Sequence, residues 1–197
     1  MNLIFEGCDK VGKTSLIKEF ARRRKLFHSE TWPVIKFSGP ALTKQILKFW
    51  SGVVNSVPVM QAEMMSEYFM TFKIFKQANL DHIICDRFFI GEFIYCILRR
   101  YRYEEDEKNY WVGLFNQLME ETNCVFVYVK ADADVIIKRM VADGGDKYLP
   151  AESVNDILAG YEEMLQRISG RVIVIDTTKT SVLDACDELE AGVASFE

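Results

Sequence analysis

Two lysines, an aspartate, two hydroxyls and two glycines crowd into "GCDKVGKTS", residues 7–15, directly behind an apolar run. That mixture is poor strand and poor helix opening, so its composition calls for a chemical reason. Gly7, Gly12, Lys13 and Thr14 match the phosphate-loop pattern GxxxxGK[ST] at every fixed position. The glycines let the main chain turn back with its N–H groups aimed into one concavity. A helix opening near Lys13 adds the positive end of its dipole. Lys13 would reach the outer phosphates of a nucleotide as a point charge, and the Thr14 hydroxyl would ligate Mg²⁺. The competing account is a glycine-rich turn matched by chance; the strand-like run before it and the helical run after it favour the phosphate loop.

Two further groups of residues suit the same chemistry. In "IICDRFF", Asp86 and Arg87 stand at the carboxyl end of a buried-type strand, the edge at which ligands gather in open α/β sheets. Asp86 would orient an attacking oxygen or the Mg²⁺ shell, and Arg87 would clamp a phosphate with two parallel hydrogen bonds. A structural ion pair capping the strand is the plainer alternative. In "IIKRMVADGGDKYLP", Lys138, Arg139 and Lys147 flank Gly144-Gly145. A loop that closes basic groups over a triphosphate and expels water serves phosphoryl transfer, because charge spreads over the moving group. A solvated helix end with basic residues favoured by the dipole would read the same way.

These side chains need a scaffold to bring them together, and the chain offers an alternating one. Short β-rich runs at 2–6, 34–37, 82–85, 124–129 and 172–175 alternate with helical spacing at 13–25, 43–54, 62–77, 88–102, 107–121, 133–142, 151–168 and 182–190. Such alternation predicts an α/β fold, a parallel sheet covered by helices on both faces. No linker or repeat divides the chain, so we expect one domain over 1–197 with a short lid near 138–150. The 197 residues suffice for one well-buried core. A composition of 49% hydrophobic and 27% charged residues is that of a soluble globular protein. A net charge of −5 argues against a wholly basic nucleic-acid binder. The five cysteines are scattered and form no CxxC pair, so they read as buried thiols of a reducing compartment. No leader-like or membrane-spanning run is seen, which leads us to expect a cytoplasmic protein without a membrane partner.

"FEGCDKVGKTS", "CDRF" and a charged segment ending in "DKY" together resemble the thymidylate kinases among the P-loop nucleoside and nucleotide kinases. The resemblance covers about residues 1–25, 82–96 and 124–178. It implies a five-stranded parallel sheet of the P-loop kinase fold. It also implies that Asp9 contacts the acceptor's sugar hydroxyl and that Lys10 takes the place of a loop arginine carried by one branch of the family. Arg87 would hold the acceptor phosphate, Asp86 would lie near the metal and the attacking oxygen, Arg139 would lie against adenine, and Lys147 would approach the phosphates. The turn "DTTKT", residues 176–180, would sit beside the adenine through Thr178. The catalytic set expected is thus Lys13, Asp86, Arg87, Asp9 and Arg139. ATP would be bound by Gly7, Asp9, Lys10, Val11, Gly12, Lys13, Thr14, Ser15, Arg139, Lys147 and Thr178, with Mg²⁺ on Thr14 and Asp86.

The acceptor half departs from that pattern. The family's Arg-Glu-Pro-Gly-Gly segment is replaced by "KFSGPALTKQ", which keeps Gly39-Pro40 but has no arginine. Lys36 or Lys44 would have to substitute, and lysine lacks the bidentate fork. Where an arginine over the base is expected stand Ser66, Glu67 and Tyr68; Tyr68 or Phe69 would stack on a base or belong to the core. "ARRRK", residues 21–25, reads as dipole compensation and solubility. "RRYRYEEDEK", residues 99–108, reads as a solvated, self-paired hairpin or, less favoured, as a strand-binding patch. The expectation is therefore a Mg·ATP-dependent nucleotide kinase for nucleotide biosynthesis, acting on a pyrimidine deoxynucleotide with dTMP to dTDP as the default. The alternatives are a kinase of hydroxymethylated pyrimidines in DNA, for which DNA would be the partner, a deoxynucleoside kinase, and a non-catalytic nucleotide-binding module. The apolar helices permit a homodimer.

Overall fold

The computed structural model describes residues 1–36, 69–70, 72–74, 76–79, 81–99, 103–145 and 149–196. Its centre is β1, Asn2–Glu6, in which every residue is buried. β1 runs parallel to β3 (Ile84–Asp86) on one side and β4 (Cys124–Lys130) on the other. β2 (Val34–Lys36) flanks β3, and β5 (Val172–Asp176) flanks β4. The result is a five-stranded, all-parallel sheet in the order β2-β3-β1-β4-β5. Parallel strands buried on both faces carry near-continuous apolar runs, as in "LIF" of β1 and "CVFVYV" of β4.

Helices form the crossovers that parallel pairing demands. They are α1 (Lys13–His28), α2 (Phe89–Tyr95) continued by a 3₁₀ turn at Cys96–Arg99, and α3 (Glu105–Glu121). After β4 come α4 (Ala133–Ala142), a 3₁₀ turn at Ala151–Ser153, α5 (Val154–Leu165) and, after β5, α6 (Val182–Ala194). α1 packs on α6, α2 on α5 and α3 on β4. Aromatic rings join the layers: Phe88 lies 4.9 Å from Phe72 and 5.8 Å from Phe115, which in turn lies 5.8 Å from Phe126. All five cysteines are described, buried and outside any disulfide. Among the described residues no helix is long and apolar enough to cross a membrane.

The strands fall within two residues of expectation. The run expected at 82–85 becomes Ile84–Asp86, which makes Asp86 the last strand residue. The helix expected at 88–102 divides into α2 and a 3₁₀ turn. The one expected at 151–168 opens with a 3₁₀ turn and ends at Leu165. The helix expected at 43–54 lies outside the described residues, as do Gly39-Pro40, Lys44, Ser66, Glu67, Tyr68, Arg100, Tyr101, Arg102 and Lys147; of 62–77, residues 69–70, 72–74 and 76–77 are helical.

Two expectations about charge runs need correction. In "ARRRK", Arg22 is half exposed on Glu19, but Arg23 and Arg24 are structural. Arg23 pairs with Glu19 and, across on α6, with Asp187 and Glu190. Arg24 is buried over Phe20 and Trp32, 5.2 and 5.6 Å from their ring centres. Nor do the acids after the second arginine run belong to a self-paired hairpin. Glu104 caps α3 in a capping box with Glu107, and Glu105 pairs with Lys108 and with Arg167 beyond α5.

Candidate functional site

The loop between β1 and α1 depends on backbone that few residues can adopt. Gly7 sits at φ 146°, and a Cβ there would stand 2.1 Å from the Val129 carbonyl oxygen. Only glycine lets the loop pass so close to β4. Gly12 follows at φ 94° and Lys10 at φ 65°. Above the loop, at the carboxyl ends of the strands, opens a cavity of about 680 Å³, within the range typical of small-molecule sites. Asp9, Lys10, Val11, Gly12, Lys13, Thr14 and Ser15 line it together with Asp86, Arg87 and Arg139. These expected residues therefore meet in one hollow. Gly7 lies beneath it, where its carbonyl accepts from Lys13 Nζ at 3.1 Å.

Lys13 is only 6% exposed. Burial brings its ammonium down to about 8; the charge of Arg87 pulls the same way, while Asp9, Glu6 and Asp86 oppose both. Arg87 holds a positive φ of 73°. Its guanidinium pairs with the Asp9 carboxylate and lies 5.3 Å from the Tyr95 ring centre. The Tyr95 hydroxyl donates to Asp9 Oδ2 at 3.0 Å and accepts the Asp9 N–H at 2.9 Å. Asp9 is thus held from two sides, by Arg87 of the turn that leaves β3 after Asp86 (the DR turn) and by Tyr95 of α2. Asp86 is buried at the end of β3, with the exposed Lys36 Nζ 3.8 Å from its Oδ2.

On the opposite wall, α4 is stitched to the loop. Arg139 donates to the Thr177 carbonyl at 2.8 Å and to Thr177 Oγ1 and the Lys10 carbonyl at 3.2 Å each. Lys10 Nζ reaches Asp143 Oδ2 at 3.0 Å. Thr177 Oγ1 also lies 2.6 Å from the Val11 carbonyl. In the turn after β5 the threonines that line the cavity are accordingly Thr177 and Thr180; Thr178 instead accepts the Asp132 N–H at 2.9 Å, ahead of α4. Lys138 is exposed and is not part of the cavity lining.

The residues fit the divalent cation that such a loop implies. Thr14, an exposed residue at the start of α1, and Asp86 both line the cavity. Among the described residues no group of three or more acidic, His or Cys side chains is placed to hold a metal ion. Thr14 and Asp86 supply the kind of oxygens that suit Mg²⁺, which takes one or two from the protein and completes its shell with phosphates and water.

Sequence reasoning missed Glu6, Tyr95 and Thr177. Glu6 has no exposure at all. Its Oε1 accepts the N–H groups of Phe88 at 2.7 Å and Gly91 at 3.2 Å, and its Oε2 accepts the Tyr161 hydroxyl at 3.2 Å. Burial pushes its carboxyl up, against the pull of Arg87, the two amides and Lys13. An acid ending an apolar strand was the one signal available for it.

Solved structures share the whole fold. The YorR protein from Bacillus subtilis, in complex with phosphorylated GDP, aligns at TM-score 0.66 and 22% identity, over 98% of this chain and 96% of that one. Deoxyadenosine kinase from M. mycoides with dCMP and dCDP bound aligns at 0.64 and 17%, over 99% and 100% of the two chains. The same kinase with dATP aligns at 0.65 and 16%, over 98% and 100%. No family model and no curated protein matches the sequence.

Proposed function

We propose that the protein transfers the γ-phosphoryl group of ATP directly to a nucleotide or nucleoside, with a pyrimidine deoxynucleotide, dTMP by default, as the acceptor. The observation that carries this is the shared cavity. Residues 9–15 of the loop, Lys13 and Thr14 among them, line it together with Asp86, Arg87 and Arg139. A hollow rich in preset cations and N–H donors suits a reaction whose catalysis is mostly positioning and charge stabilisation. In this reading the loop amides and Lys13 hold the outer phosphates of the donor. Arg139 borders the base end, and Arg87 leaves Asp9 to grip an acceptor phosphate with both arms of its fork. Asp86 orients the attacking oxygen at the end of β3. Bound Mg²⁺, held by Thr14 and Asp86, would neutralise charge on the donor phosphates.

A second reading, with a deoxynucleoside as acceptor, draws support from the likeness to deoxyadenosine kinase over its whole length. There Arg87 would serve the transferred phosphoryl group, not an acceptor phosphate. The deciding assay is transfer of labelled γ-phosphate from ATP to dTMP, other nucleoside monophosphates, thymidine, deoxyadenosine and hydroxymethyluracil-containing DNA, run in parallel. We expect dTMP or another monophosphate to be labelled fastest. Label on nucleosides alone selects the second reading, label on DNA alone selects a base kinase, and no label on any acceptor ends the kinase proposal.

A further inference from the structure

We propose that Glu6, which does not line the cavity, is a positioning residue that sets the Arg87 guanidinium through the backbone of the DR turn. The inference rests on the kinase reading for its effect on turnover, but its geometry stands apart from that reading. Arg87 holds a φ of 73°, a region costly for a long L side chain. Such a residue persists when its surroundings over-determine it. Here β1 does so on both sides of the Arg87 Cα. The Arg87 N–H donates to the Phe5 carbonyl at 2.9 Å, and the next amide, that of Phe88, donates to Glu6 Oε1 at 2.7 Å. The two amides flanking one strained residue are thus held by two consecutive residues of the central strand.

The carboxylate is itself locked in place. Gly91 donates to Oε1 at 3.2 Å, and the Tyr161 hydroxyl of α5 donates to Oε2 at 3.2 Å. A Cβ at Gly91 would stand 3.2 Å from Glu6 Oε2 and 3.3 Å from the Tyr161 hydroxyl oxygen, so nothing larger than glycine sits easily there. A fully desolvated acid is retained only with its partners made. These partners lead to the DR turn, whose Arg87 side chain enters the cavity. Reach is what matters: the carboxylate must span from β1 to the Phe88 and Gly91 amides.

Glu6→Gln keeps that reach and an accepting oxygen; Glu6→Asp keeps the carboxyl group and shortens the reach by one methylene. For phosphoryl transfer we expect Glu6→Asp to lose about 100-fold in kcat/KM for the acceptor, the scale of a roughly 1 Å misplacement. Its affinity for a non-hydrolysable ATP analogue should stay near wild type, and Glu6→Gln should recover most of the lost rate. In an Arg87→Ala background Glu6→Asp should cost nothing more, because the group it positions is gone. Full additivity in that cycle, an Asp variant faster than the Gln variant, or a parallel loss of donor affinity would overturn the inference. A second readout needs no turnover. The Arg87 side-chain N–H resonance, assigned by its loss in Arg87→Ala, should be sharp in wild type and Glu6→Gln and broadened or shifted in Glu6→Asp. An unchanged resonance refutes the positioning role. A wild type that transfers no phosphate defeats the kinase reading and leaves this resonance to decide the inference.

Discussion

A lysine that is 6% exposed has exchanged most of its water for the Gly7 carbonyl at 3.1 Å. One hydrogen bond does not replace a hydration shell, so burial lowers its pKa from 10.5 to about 8, with Arg87 adding repulsion. The sign has two consequences. For folding, the unfolded chain binds the proton more tightly, so this group opposes stability below about pH 8 and the opposition fades as pH climbs toward 10.5. For ligand binding the sense is reversed, because phosphates prefer the ammonium. Affinity for an ATP analogue should hold from pH 6.5 to about 7.5 and then fall as pH rises through 8. The limiting slope for one linked proton is about tenfold per pH unit. Calorimetry across pH 6.5–9.5 measures it, and Lys13→Met should bind weakly with no such slope. A wild-type affinity that stays level to pH 9.5 would show that Lys13 does not meet the phosphates.

At the level of elements, α1 does more than open the loop. Its far end is tied to α6 by Arg23, which is 13% exposed and reaches Glu19, Asp187, Glu190 and the Leu183 carbonyl. A networked arginine of this kind is worth about 1 kcal/mol, or about 2–4 °C in a chain of this size. Arg23→Ala should lower the melting temperature by that amount in calorimetry, and Arg22→Ala should leave it unmoved; equal effects would refute the assignment. Arg23 also marks where reading by element stops. Residues 21–25 look like any basic helix end until α6 is seen beside them. The strands were legible because buried parallel strands carry local apolar runs, and the loop because its glycines and lysine answer a local steric and electrostatic demand. Glu6, Tyr95 and Thr177 were not, since their meaning lies in partners far along the chain: Phe88 across 82 residues, Asp9 across 86 and Val11 across 166. Sequence does not tell Thr177 from Thr178 for a similar reason, because which hydroxyl turns inward is decided by the Val11 and Lys130 carbonyls.

For the molecule as a whole, the strand order places the chemistry. β1 lies between β3 and β4, so the loop leaving β1 and the DR turn leaving β3 face one crevice at the carboxyl edge. A ligand there touches the loop, β3, α4 and the turn after β5 together, and binding should stabilise the entire fold. At 100 times its dissociation constant a ligand adds about 2.7 kcal/mol, roughly 5–10 °C for about 200 residues. Mg·ATP analogue should produce that shift in wild type and lose most of it in Lys13→Ala at the same concentration. The acceptor can be read by the same melting curves, because Arg87 is asked to do different things in the two readings. A nucleoside monophosphate gripped by the guanidinium should stabilise wild type and not Arg87→Ala. A nucleoside, with no phosphate to grip, should stabilise both alike. A dTMP shift that disappears with Arg87, alongside no shift from thymidine, supports the nucleotide acceptor. A thymidine or deoxyadenosine shift that survives Arg87→Ala transfers the proposal to nucleosides.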